Sequence, residues 1–333
     1  MIPVPQSALE SLAQSFGTVA ANLHHFGGGR EESDGVVYAY PHKDTQRLLK
    51  ILAIPIEDQS AGMFCLEERL KFMSFLGENG APIAFPQLSP QGNLYETCLF
   101  ESHLWVGYSM EIVPGKSVKP NAWNTTFFRN WGQTVAVLHR LARQYPSWKA
   151  SVHPTNGKRH LTWHEEWEVF YHWCQDDDVK LRWVEIQGRL EELPITREVY
   201  GFIHNDPHIW NLLVDGNRIT LLDFDVANHH WFVNDIAIAC QSVLFALSGG
   251  MDRPVYNREK LLRFLGFFME GYAREHHLSS EWLDRLDLFI AYRRILLFTV
   301  MYGGIQSKPD LHTLWKQMIL SEPEVIGAFS AAL

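Results

Sequence analysis

"GFIHNDPHIWNLLV", residues 201–214, encloses an aspartate, a proline, two histidines and an asparagine between the apolar runs Gly201-Phe202-Ile203 and Leu212-Leu213-Val214. Two strand-like runs bounding a polar knot predict a loop that carries its side chains at strand ends. Shortly after, "LLDFD" (221–225) sets Asp223 behind a third apolar run, Ile219 to Leu222. Asn211 and Asp223 then offer two oxygen ligands from adjacent strand ends. That is enough for one Mg2+, which takes few protein ligands and fills its shell with water and phosphate oxygens. Asp206 is left free to accept a proton from a hydroxyl while the metal neutralises charge on a transferring phosphoryl group.

The chain around this knot has 333 residues, 46% of them hydrophobic and 13% aromatic, enough for a large core and more than one typical domain. Its 38 acidic against 29 basic residues, a formal charge of -9, exclude the electrostatic footprint of a general nucleic-acid binder. Cys65, Cys98, Cys174 and Cys240 form no CxxC pair, so they read as buried free thiols rather than a zinc or disulfide framework. The start lacks the basic and long apolar regions of a signal peptide, and "ILLFTVMYGGI" from Ile295 falls short of the ~20 residues of a membrane span. The expectation is a cytoplasmic protein with no membrane or nucleic-acid partner.

Working outward, the spacing of Leu9, Leu12, Ala13 and Phe16 predicts a helix over 7–16. Alternation predicts strands over 18–26, 35–42 and 45–53, in an antiparallel meander. A helix over 64–76 and two further strands, "NLYETCLFE" and "WVGYSMEIV", lead to Pro114-Gly115, where the pattern turns mainly helical. Helices are expected over 127–145, 161–174, 179–193 and from about Asn234 onward. The acidic run Asp176-Asp177-Asp178 reads as a solvated loop.

"HNDPHIWN" followed by "LLDFD" resembles the catalytic loop and metal-binding segment of the aminoglycoside phosphotransferase and choline kinase superfamily. The resemblance implies an α+β, protein-kinase-like two-lobed fold. Residues 1–113 would be a small antiparallel sheet plus helix, and 114–333 a mainly helical lobe. It makes Asp206 the catalytic aspartate, Asn211 and Asp223 the metal ligands, and Asp235 the brace of the catalytic loop. Gly27, Gly28 and Gly29 resemble the loop that covers nucleotide phosphates, where missing side chains let backbone N–H groups approach. Lys50 matches the lysine on the α and β phosphates. Glu68, with Glu67 as the alternative, would pair with Lys50, though Arg69 holds the position that aligns best by spacing. Met110 to Ile112 match the hinge that meets adenine, and Leu138-His139 a helical Leu-His pair. Asn205, where glycine is common, and Trp210 depart from the family pattern without removing a catalytic group.

The implied activity is ATP- and Mg2+-dependent transfer of the γ-phosphoryl group to a hydroxyl of a small molecule. The acidic balance fits a cationic acceptor, which Trp210 and Trp231 could contact through their rings. A compact Ser/Thr protein kinase and a catalytically silent nucleotide-binding regulator remain as alternatives. Trp163, Trp167, Phe170 and Cys174 share one helix face and read as core. Pro207 prevents His204 and His208 from presenting a helical metal pair, which leaves structural hydrogen bonding for both.

Overall fold

The computed structural model describes residues 3–29, 35–148, 160–251 and 257–328. The described chain divides between Pro114 and Gly115 into two compact units.

In the first unit, helix α1 (Gln6–Ser15) precedes a sheet of β1 (His24–Gly28), β2 (Val36–His42), β3 (Thr45–Pro55), β4 (Pro86–Gln87), β5 (Glu96–Phe100) and β6 (His103–Glu111). Helix α2 (Gln59–Glu78) lies between β3 and β4 in sequence. The sheet order is β1-β2-β3-β6-β4, antiparallel throughout, with the free edge of β6 shared between β5 and β4. Alternation decides which face is buried: Leu49 and Ile51 of β3 and Trp105 of β6 pack with Ala8 and Leu12 of α1 and with Phe16 just after it. The expected strand over 18–26 is only partly present. Ala20–Asn22 form a 3-10 turn and pairing begins at His24. Helix α2 extends beyond the expected 64–76 at both ends.

The second unit carries α3 (Thr125–Ala142), α4 (Trp163–Trp173), α5 (Asp177–Glu191), β7 (Tyr200–Ile203), β8 (Leu212–Asp215), β9 (Arg218–Leu221) and β10 (Asn228–Trp231). Then follow α6 (Phe232–Ser248), α7 (Arg258–Tyr272), α8 (Ser280–Leu283), α9 (Leu286–Val300), α10 (Tyr302–Gln306) and α11 (Pro309–Ser321). Strands β8 and β9 form a hairpin, and β7 pairs with β10, a strand the periodicity did not announce. Helix α6 is buried on every side from Phe232 to Phe245, so it forms the centre of this unit. The acidic run is not a loop: Asp176 caps α5 through the N–H groups of Asp178 and Val179 and pairs with Lys316 at 2.9 Å. Trp163, Trp167 and Cys174 are buried as expected. Among the cysteines, Cys65, Cys174 and Cys240 are buried and Cys98 half-buried, all as free thiols. No helix among the described residues is long and apolar enough to cross a membrane.

Candidate active site

Strand β7 is fully buried and ends at Ile203, so the loop that follows starts from a fixed point. His204 is also buried. Its Nδ1 accepts from the Asp206 N–H at 3.2 Å, which places the ring proton on Nε2, facing the Leu222 carbonyl at 2.9 Å. Asn205 has φ 64, the left-handed region that asparagine tolerates better than most residues. Its N–H donates to Asp235 Oδ1 at 2.8 Å. Further on, His208 Nδ1 accepts from the Asn211 N–H at 3.1 Å and caps the 3-10 turn Ile209–Asn211. Both histidines therefore serve the loop backbone.

Asp206 projects from this frame half-buried, with both carboxylate oxygens engaged. Oδ1 accepts from Arg293 Nη2 on α9. Oδ2 faces Asn211 Nδ2 and His208 Nε2, each at 3.3 Å. Burial lowers the His208 pKa below its ordinary value against the opposing pull of Asp206, so the ring is neutral at pH 7 and donates from Nε2. A carboxylate held by three donors is fixed in direction, as a base must be before its substrate arrives.

The β8–β9 hairpin pairs Leu212 with Leu221, so its open end presents Asn211 just before one strand and Asp223 just beyond the other. The Leu222 N–H donates to the Asn211 carbonyl at 3.0 Å and holds that end together. The amide nitrogen of Asn211 is committed to Asp206, including its carbonyl at 3.0 Å, which leaves the amide oxygen as the end available to a cation. Asp223 has φ 65 and is exposed, while Phe224 turns inward against the His204 ring, centroids 4.2 Å apart. A carboxylate and an amide oxygen carried at the same end of one hairpin are the ligand types that suit a hard divalent ion with open positions for phosphate oxygens.

Behind the loop lies a buried chain of donors and acceptors. Asp235 Oδ2 meets His139 Nε2 of α3 at 3.0 Å, and His139 Nδ1 meets the Tyr272 hydroxyl of α7 at 2.7 Å. Burial raises the Tyr272 phenol well above its ordinary value, so it stays a donor. Asp235, on the first turn of α6, thus joins two helices to the loop backbone.

In the first unit, Lys50 is buried at the middle of β3, opposite Val37 and Tyr108. Gly28 and Gly29 have φ 71 and 76, and the Gly29 N–H donates to the Gly35 carbonyl at 3.0 Å. A Cβ on Gly28 would stand 2.3 Å from the Gly35 oxygen, and one on Gly35 would touch Lys50 Cε at 3.4 Å. The glycine turn and Lys50 are therefore neighbours. Gly27 joins them through the β1–β2 ladder, opposite Val37. Glu68 accepts from Lys71 at 2.9 Å, and Glu67 accepts from the Tyr95 hydroxyl at 2.6 Å. Met110 pairs with Leu48 and Pro86 near the end of β6, and Ile112 follows it, exposed.

Residues 66–285 match the family described as the phosphotransferase enzyme family. The chain belongs to that family. It is 29% identical over 227 residues to the amicoumacin kinase of Bacillus subtilis strain 168, a match covering 66% of this chain. The chain spans 61% of that relative's length. Among solved structures, it resembles an amicoumacin kinase in complex with AMP-PNP, Ca2+ and Ami, with TM-score 0.78, 23% identity and coverage of 94% of this chain and 95% of that one. A microcompartment-associated aminopropanol kinase gives TM-score 0.66 at 18% identity, covering 94% and 97%. The chain thus has a kinase-like fold, with an antiparallel sheet in its N-terminal region and a mainly helical C-terminal region.

One candidate contact expected from the sequence fails. Trp231 is fully buried, with Nε1 donating to the Pro194 carbonyl at 2.9 Å, so it is core and cannot meet an acceptor. Trp210 is 54% exposed and remains beside Asn211. Three residues escaped the sequence reading: Arg293, Glu166 and Tyr292. Glu166 shares a helix face with Trp163 and Trp167, and Arg293 lies within the apolar "IAYRRILLF". A charge on an apolar helical face must find a buried partner, and that was the available signal.

Proposed function

We propose that this phosphotransferase moves the γ-phosphoryl group of ATP to a hydroxyl of a small molecule, with Mg2+ held by Asn211 and Asp223. The observation carrying the reading is Asp206, fixed by Arg293, His208 and Asn211 at the open end of the hairpin that presents both proposed ligands. Asp206 accepts the acceptor's hydroxyl proton as its oxygen bonds to the γ-phosphorus and the bond from phosphorus to the ADP oxygen breaks. The metal supplies charge neutralisation on the phosphates. Residues 1–113 would hold the nucleotide. Lys50 and the Gly27–Gly29 turn would meet the phosphates, Met110 and Ile112 the adenine, and Glu68, or Glu67, would pair with Lys50. Residues 114–333 would supply the base, the metal ligands and the acceptor pocket, and the cytoplasm would supply ATP.

A small acceptor is favoured over a protein because only eleven residues, Phe224 to Asn234, separate Asp223 from Asp235. Four of them are committed to β10 in the core, which leaves no length for a peptide platform. The likeness to amicoumacin kinase makes amicoumacin the first acceptor to offer. Aminopropanol, aminoglycosides, choline, homoserine and methylthioribose come next, and Trp210 and the negative net charge favour the cationic ones. The test is incubation with labelled ATP and Mg2+, each compound in turn, and generic protein substrates. Saturable labelling of one small compound is expected. Labelling confined to protein serine or threonine would establish the protein kinase alternative, and nucleotide binding without any transfer the regulator.

A further inference from the structure

Glu166 of α4 is 2% exposed, and its carboxylate accepts from several buried donors. Oε2 accepts from Asn205 Nδ2 at 2.5 Å and Asn228 Nδ2 at 3.0 Å, and Oε1 accepts from the Tyr292 hydroxyl at 2.8 Å. His160 Nδ1 lies 3.8 Å from Oε2. Burial, reinforced by the Glu166 charge, raises the Tyr292 phenol well above its ordinary value, so it remains a donor. A buried carboxylate is costly unless fully hydrogen-bonded, and an apolar residue of similar size would serve packing alone better.

The second costly feature is Asn205, where the left-handed backbone carries a strain of about 1 kcal/mol. Its side chain uses both amide hydrogens and one lone pair of its oxygen. Nδ2 donates to Glu166 and to the Val226 carbonyl at 3.1 Å, and Oδ1 accepts from Asn234 Nδ2 at 2.8 Å. The strained residue, the buried charge and the proposed base are therefore consecutive links: Glu166, then Asn205, then Asp206 by covalent bond. Two unfavourable local choices that meet at the residue before a base are what over-determination of a functional backbone looks like.

We infer that Glu166 is a positioning residue for Asp206, acting through the Asn205 side chain, with Tyr292 fixing the far oxygen of its carboxylate. This deepens the phosphotransfer reading and rests on it for the role of Asp206. Helix α4 carries Glu166 and α9 carries both Tyr292 and Arg293, so α4 and α9 hold the base from behind and from the side.

The test uses Glu166→Met, Glu166→Gln, Asn205→Gly and the double variant Glu166→Met/Asn205→Gly in the full chain. Glu166→Met removes the acceptor while keeping bulk. Glu166→Gln can keep its oxygen toward both asparagines and donate its amide to Tyr292. Asn205→Gly removes the link and relieves the strained backbone, so it stays folded even if Glu166→Met does not. Hydrogen exchange of a peptide covering residues 203–212 needs no acceptor. It should rise tenfold or more in Glu166→Met and Asn205→Gly, with α6 and α9 peptides unchanged and Glu166→Gln close to wild type. With an accepted substrate, kcat should fall about 10- to 100-fold in the same two variants, as expected for a reacting group displaced by an ångström or less. The nucleotide KM should stay within twofold. The double variant should be no worse than either single one, because both cut the same link. Unchanged exchange in Asn205→Gly would overturn the inference, as would exchange that rises evenly across the unit, or additive losses. If the wild type phosphorylates nothing, the phosphotransfer reading fails, and the exchange experiment still decides whether Glu166 holds the loop.

Discussion

The loop 204–211 and the glycine turn at Gly27–Gly29 are both proposed to face phosphate chemistry, and the two are fixed by opposite means. Around Asp206 nearly every backbone turn is tied by a side chain: the half-buried His208 and the buried His204, Asn205, Asp235 and, one step back, Glu166 and His139. The glycine turn relies chiefly on backbone geometry, with the exposed His25 ring facing the Gly28 carbonyl at 3.3 Å. Positive φ values and the Gly29 N–H to Gly35 carbonyl bond bring the two glycines together, and a side chain on Gly28 would not fit there. A base must keep one direction to within a fraction of an ångström, whereas a phosphate cradle needs only exposed N–H groups and room.

The sharpest way to break the comparison is at its centre. Asp206→Asn keeps the shape but cannot take a proton, so kcat should drop roughly 100- to 10,000-fold while nucleotide-induced thermal stabilisation persists. A variant with half the wild-type rate would remove Asp206 as the base. Asp223→Ala should abolish the part of that stabilisation that depends on Mg2+, because it deletes the charged ligand. A metal titration of the melting temperature checks this, and an unchanged midpoint would clear Asp223 of that role.

Acid should attack the side-chain-held unit. His230, among Trp231, Phe289 and Tyr292, and His276, mainly through burial, are both pushed down to about 3. Each folded value lies below the unfolded one, so the stability they contribute is complete above the ordinary histidine range and is lost as pH falls from about 6.5 toward 3. At pH 5 the loss should be about 2 kcal/mol for each histidine, measured by urea unfolding, and His230→Phe should flatten the pH dependence. The smallest effects belong to the glycine turn. Gly28→Ala meets both a clash and a positive φ and should destabilise by about 1–2 kcal/mol. Gly27→Ala, whose Cβ would meet nothing within 4 Å, should stay within about 0.5 kcal/mol of wild type. Equal losses at the two positions would mean the turn is not held by backbone conformation.

What the sequence disclosed follows the same division. The order Asp206, Asn211, Asp223 was legible because its geometry is local: a loop, a hairpin and its open end. Strands β2, β3 and β6 announced themselves by alternation. Strand β1 was legible only in part: the expected 18–26 overlaps it at His24–Phe26, and its residues, mostly exposed, have no apolar face to fix its bounds. Strand β10 failed for the opposite reason. Asn228, His229 and His230 are polar, yet all are buried by pairing with β7 and by side-chain hydrogen bonds, which hydrophobic periodicity cannot register. Trp231 lay close to Asp235 in sequence, but β10 turns its ring into the core. The contacts of Glu166 with Asn205 and of Arg293 with Asp206 span 39 and 87 residues, and one sequence contains nothing that pairs positions so far apart.

Helix α9 begins at Leu286, one residue beyond the stretch that matches the family. A gene interrupted by a stop codon just after Arg285 would still encode the glycine turn, Lys50, Asp206, Asn211 and Asp223, and a motif search would accept its product as intact. That product would lack Arg293 against Asp206 and Tyr292 against Glu166, together with the wall that α6 packs on. Such a reading frame would be a pseudogene with a complete signature.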